Sequence, residues 1–168
     1  MDAQYVQYIC SLPNRKGDGD PRWIFTADDE RIAEFVKREE APGRGIFYCI
    51  GLLREGATAR NKETVAALPA VVLDLDLKNI AEPREAVLAC LRGLLLRPSE
   101  IRDSGNGLHA VWWLKEPLTD DAGMAEAEGV MKKLVGLLAG DPLPTHRAAL
   151  LRCVGSHNSK DGEWKQRS

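Results

Sequence analysis

The sequence predicts an α+β fold, and three observations carry that expectation. Runs rich in β-branched and aromatic residues mix with stretches of helical period, without the strict alternation of a parallel α/β sheet. The apolar run Val71-Val72-Leu73 passes directly into Asp74-Leu75-Asp76, as a buried strand does on reaching a polar site. Ser104–His109 (SGNGLH) stands between two strand-like runs and reads as the glycine turn of a hairpin.

The 168 residues fit a single domain, 1–168, large enough to bury a core. A net charge of −2 gives no global basic field, so any nucleic-acid surface has to be local. No apolar run approaches membrane-spanning length, and MDAQYVQYIC lacks the charged start and apolar stretch of a signal peptide. Cys10, Cys49, Cys90 and Cys153 are far apart with no CxxC, which points to reduced thiols in a cytoplasmic setting. His146, Cys153 and His157 match no common zinc spacing.

Taken in order, Asn14 to Arg22 is a polar, glycine-rich loop. Thr26 is the expected N-cap of a first helix, with Asp29 three residues on and Ile32, Phe35 and Val36 at helical spacing, ending near Ala41. Gly45 to Leu52 (GIFYCIGL) reads as a strand. Arg54 to Glu63, with Arg60 and Lys62, is either a solvated loop or a basic flap beside an acidic site. Pro69 bounds the acidic strand, and Pro83 suits the start of a second helix. That helix has the stripe Val87, Leu88, Leu91, Leu94 and Leu95 and is closed by Pro98. A third helix starts at Thr119, with Val130, Leu134, Leu137 and Leu138 on its buried face and Gly140 at its end. Ala149 to Val154 gives a last strand.

Alternation along a strand puts Asp74 and Asp76 on one face and Leu73, Leu75 and Leu77 on the other. Two adjacent acids at the end of an apolar strand need a cation, and a divalent metal takes carboxylate oxygens. The plainer alternative is that one Asp caps the helix that follows and the other is solvated. In SGNGLH, two glycines let backbone N–H groups approach a ligand, and the turn could form an anion nest. The third block, Asp141 to Lys160, places Arg152 inside an apolar strand and follows it with the polar, cationic turn Gly155, Ser156, Asn158 and Lys160.

LDLD, SGNGLHAVWWL and LLRCVGSHNSK resemble, in that order, the three motifs of archaeo-eukaryotic-type primases. The likeness is greatest to the primase-polymerase branch of plasmids, phages and other mobile elements, with its RepB-like primase domains. It implies an RRM-like antiparallel sheet with helices, packed against an N-terminal α/β part. It also implies template-directed nucleotidyl transfer from an NTP or dNTP to a 3′-hydroxyl on single-stranded DNA. On this resemblance Asp74, Asp76 and Asp141 are the ligands of a two-metal Mg²⁺ or Mn²⁺ site and, with His109, the catalytic residues. Ser104, Gly105, Gly107, His109, Arg152, Asn158 and Lys160 bind the nucleotide, with Arg60 and Lys62 as template or nucleotide contacts. Val154 stands where relatives commonly have proline, and His157 is an added group. The expected setting is a monomeric catalytic fragment of a longer protein, whose partner is a replicative helicase or C-terminal primase domain.

Two other classes use some of these residues. A haloacid-dehalogenase-type phosphatase also places DxD after an apolar strand, but wants Gly-Thr after the second Asp, where this chain has Leu77-Lys78. A non-catalytic nucleic-acid-binding domain derived from a primase would bind DNA without metal-dependent extension.

Overall fold

A computed structural model describes residues 5–13, 17, 19–41 and 43–156. The strands are β1 (Tyr5–Leu12), β2 (Arg22–Thr26), β3 (Gly45–Cys49), β4 (Leu52–Arg54), β5 (Val65–Asp76), β6 (Glu100–Asp103), β7 (Gly107–Leu118) and β8 (Leu150–Arg152). The helices are α1 (Asp29–Glu40), α2 (Arg84–Gly93) and α3 (Asp121–Leu138), with a 3-10 turn at Leu77–Asn79. All the strand pairs are antiparallel, in the order β6-β7-β5-β4-β1-β3-β8 with β2 on β1. The α+β expectation holds.

The sheet divides into two lobes because β3 and β4 form one interrupted strand along β1. Ile9 lies opposite Tyr48 and Val6 opposite Leu53, with Ile50 and Gly51 breaking the ladder between them. Those two residues donate their amides to the carbonyls of Ala149 and Arg147, each at 3.0 Å. A Cβ on Gly51 would sit 2.6 Å from both the Arg147 carbonyl oxygen and a Val65 methyl, so the crossing needs glycine. On one side β3 continues to β8; on the other β4 continues to β5, β7 and β6.

Each lobe covers one sheet face with helix. In the first, Phe35 of α1 packs on Ile9 and Ile46, with Ile24, Ile32 and Val36 around them. In the second, Leu73, Leu75, Leu108 and Ala110 meet Leu91 and Val87 of α2 and Leu134 and Leu138 of α3. Each such fully buried leucine contributes roughly 1.5–3 kcal/mol.

Several elements differ from expectation. Asp28, not Thr26, caps α1, its carboxylate accepting from the amides of Glu30 and Arg31. Thr26 instead ends β2, a strand the sequence reading placed partly in a loop and otherwise passed over. Pro69 lies within β5 rather than before it, at a register shift between Leu68 and Ala70 that removes the need for its missing N–H. Helix α2 ends at Gly93, and Leu95 is fully exposed. Asp120 rather than Thr119 caps α3, and its buried residues are Met124, Ala127, Glu128 and Met131, while Val130 and Leu137 face solvent. That rotation is held by Glu128, which takes the Arg147 amide at 2.9 Å, the Arg147 guanidinium at 3.0 Å and Lys62 Nζ at 3.0 Å.

Candidate active site

Strands β5 and β7 set the site's frame. Asp74 lies opposite His109 and Asp76 opposite Gly107, while Arg102 of β6 lies on the far side of His109. Gly107 is demanded by proximity: a Cβ there would fall 2.0 Å from the Leu75 carbonyl oxygen. With Leu73, Leu75 and Leu108 turned into the helices, Asp74, Asp76 and His109 point the other way.

Asp141 arrives from the end of α3. Ala139, at φ 54°, stops the helix in the left-handed conformation. Gly140 then passes so close to β5 that a Cβ would lie 2.5 Å from Leu73 Cδ1 and 3.0 Å from the Asp74 carbonyl oxygen. The Asp141 amide donates to that carbonyl at 2.7 Å. One backbone bond thus pins the third aspartate beside the first.

A cavity of about 510 Å³ opens over these residues. Asp74, Asp76 and Asp141 share it with Ser104, Asn106, Gly107 and His109 on one side and Phe47, Arg60, His146 and Arg152 on the other. Burial, then Asp141, then Asp76 push the Asp74 carboxyl up to about 6, against the opposing pull of Arg152. Burial, with Arg102 and Arg152, pushes the His109 imidazole down to about 4, with Asp103 opposing. At neutral pH the 3.6 Å approach of His109 Nε2 to Asp74 Oδ1 is therefore a neutral imidazole beside a carboxylate, not an ion pair.

Three carboxylates gathered at one cavity are the donor chemistry a hard divalent cation takes. They fit such an ion in kind and charge, but not yet as a closed ligand set. Asp76 Oδ1 accepts from the Lys78 amide at 3.1 Å, and Asp141 Oδ1 from the Leu143 amide at 2.8 Å. Among the described residues, no three His, Cys, Asp or Glu side chains form a group that could hold a metal ion.

Of the residues singled out in sequence, Asp74, Asp76, Asp141, Ser104, Gly107, His109, Arg60 and Arg152 line this one cavity. Gly105 does not line it. Its amide goes to Asp103 Oδ1 at 2.7 Å, and the Ser104 amide goes to the Gly107 carbonyl at 3.1 Å, so two of the turn's amides are engaged within the turn and its flanking strand. Lys62 is turned to Glu128 on α3. Asn158 and Lys160, with His157, lie outside the described residues. Sequence reasoning missed Phe47, Asn106 and His146 as wall residues. Asn106 lay inside the quoted turn, but Phe47 and His146 carry no local signal. Three buried side-chain nitrogens at this cavity, His109 Nδ1, His146 Nδ1 and Arg60 Nε, have no hydrogen-bond partner among the described residues.

No family model matches the chain, and no curated protein matches it in sequence. Solved structures of primase domains do match in shape. The AEP domain of the cyanophage S-2L primase-polymerase aligns with a TM-score of 0.71 and 16% identity, over 97% of this chain and 80% of that one. The catalytic domain of primase RepB′, in complex with initiator DNA, aligns with a TM-score of 0.60 and 15% identity, over 97% and 76%. A second structure of primase RepB′ gives 0.60 and 14%, over 98% of this chain and 50% of that one. The chain has the fold of these primase domains.

Proposed function

We propose that the protein is the catalytic core of a metal-dependent primase-polymerase, extending a 3′-hydroxyl from nucleoside triphosphates on a single-stranded DNA template. The observation that carries this reading is the meeting of Asp74 and Asp76 with Asp141, distant in sequence, in one cavity of a primase-type fold. In this reading the three aspartates would hold Mg²⁺ or Mn²⁺. Such ions, when bound, activate the attacking hydroxyl and stabilise the leaving pyrophosphate.

The chain's own residues do the remaining work. Arg152, fixed on β8 with its guanidinium 4.6 Å from the Phe47 ring, presents positive charge to the triphosphate across the cavity from the acids. His109, held neutral, contributes a hydrogen-bonding imidazole rather than a charge. Ser104 and Asn106 offer polar side chains at the turn. Asn158 and Lys160 are assigned to the same nucleotide on the motif resemblance alone.

Primer extension and de novo priming on single-stranded DNA, with each nucleotide set and each metal, test the proposal. Incorporation by the wild type and its loss in Asp74→Ala and Asp76→Ala, with the fold retained, is the expected result. Full activity in both variants would refute it. DNA binding with no extension under any condition would instead favour the non-catalytic reading, and a trapped aspartyl-phosphate the phosphatase one.

A further inference from the structure

We propose that the helix-free face of the first lobe is a base-stacking surface that conducts single-stranded nucleic acid to the cavity. The inference rests on the nucleotidyl-transfer reading and names where its template strand would lie.

The register carries the argument. Tyr8 is paired with Phe25, and Cys10 with both Trp23 and Phe47, so four aromatic side chains project from one face of three neighbouring strands. The reverse face holds Ile9, Ile24 and Ile46 beneath α1. Tyr8 and Phe25 meet edge to face at 5.1 Å, and Trp23 is 53% exposed. Arg60 lies 5.4 Å over the Tyr8 ring, and Arg152 lies 4.6 Å over the Phe47 ring. The remaining strand residues turned this way, Leu12, Cys49 and Leu150 among them, include no carboxylate.

Rings interleaved with guanidinium groups suit a polymer that alternates flat bases with phosphates. A nonpolar peptide would use the rings but make no use of the cations. Phe47, Arg60 and Arg152 also line the cavity, so the surface runs into the site without a break.

Fluorescence anisotropy tests this with a short labelled oligothymidylate, an abasic strand of the same length and a duplex, in the absence of metal and nucleotide. The wild type should prefer oligothymidylate to the other two. Trp23→Ala should weaken oligothymidylate binding roughly tenfold and leave the abasic strand unaffected, and Trp23→Phe should restore most of the loss. Trp23 is exposed on β2, which among the described strands pairs only with β1, and thermal melting of both variants checks that they fold. Equal oligothymidylate affinity in the wild type and a folded Trp23→Ala overturns the proposal, as does a wild type that binds the abasic strand equally well. A wild type that never extends primers, yet shows the Trp23-dependent preference, sinks the nucleotidyl-transfer reading and leaves this surface standing.

Discussion

The two lobes solve the same problem differently. Each buries one sheet face under helix; what each leaves on its other face sets it apart. In the second lobe that face ends in Asp74, Asp76 and His109, where the Asp74 carboxyl is pushed up to about 6 and the His109 imidazole down to about 4. In the first it carries Tyr8, Trp23, Phe25 and Phe47, and its titratable groups are silent near neutrality. Burial pushes the Cys10 thiol up to about 11 and raises Tyr8 as well. Response to pH therefore belongs to one lobe, and flat aromatic contact beside the Arg60 and Arg152 guanidinium groups to the other. A substitution in either should leave the other's property intact.

The sharpest break of that separation comes from the acids. Asp74→Ala or Asp76→Ala should lower nucleotide incorporation by at least roughly a hundredfold while oligothymidylate binding, measured by anisotropy, stays within a factor of about two. A parallel loss of binding would show that the two faces are not separable. His109→Ala should act more mildly, mainly as a raised KM for the nucleotide in steady-state extension; an unchanged KM would remove His109 from the pocket's binding groups.

Stability against pH comes next. Asp74 is raised from 3.8 to about 6, so its contribution is greatest when protonated and is lost as pH rises through 6. His109 is lowered from 6.5 to about 4, so the folded state loses stability as pH falls from 6.5 toward 4. Between pH 4 and 6 the two slopes oppose each other. Urea denaturation in chelator should show a nearly flat wild type over that window. Asp74→Asn should gain up to roughly 3 kcal/mol as pH rises through it, and His109→Gln should lose a comparable amount. Parallel curves for all three proteins would contradict the assignment. Added Mg²⁺ or Mn²⁺ should stabilise the wild type more as pH climbs through 6, because the cation takes the ionised carboxylate.

The smallest effects compare two glycines near α3. Gly140→Ala forces a methyl against Leu73 and the Asp74 carbonyl, and should cost about 1–3 kcal/mol and move Asp141, lowering incorporation with stability. Gly129→Ala, within α3 and with no atom near its new methyl, should instead stabilise by up to about 1 kcal/mol and leave incorporation alone. Thermal melting alongside extension assays separates the pair.

How much of this was legible in sequence follows the range of the forces involved. Asp74 and Asp76 announced themselves by interrupting a local apolar run, and the hairpin at SGNGLH by its turn residues. Asp141 came from motif resemblance, since nothing near it in sequence reveals the bond to Asp74. The face of α3 was misjudged because apolar Val130 and Leu137 look like core, whereas buried Glu128 is secured by Arg147 and Lys62, distant in the chain. Phe47 and His146 became wall residues only when β3 and the segment before β8 were brought together. Short-range patterns were readable; partnerships made by folding were not.

The crossing at Ile50 and Gly51 bears on how a substrate is received. The segment that brings His146 and Leu150 to the cavity is tied at Arg147 and Ala149 to the strand both lobes share. Spreading that wall outward would forfeit both backbone bonds at once. Selection among incoming nucleotides would then fall to a standing shape, a mould already set before anything enters it, rather than to jaws that shut on the right one.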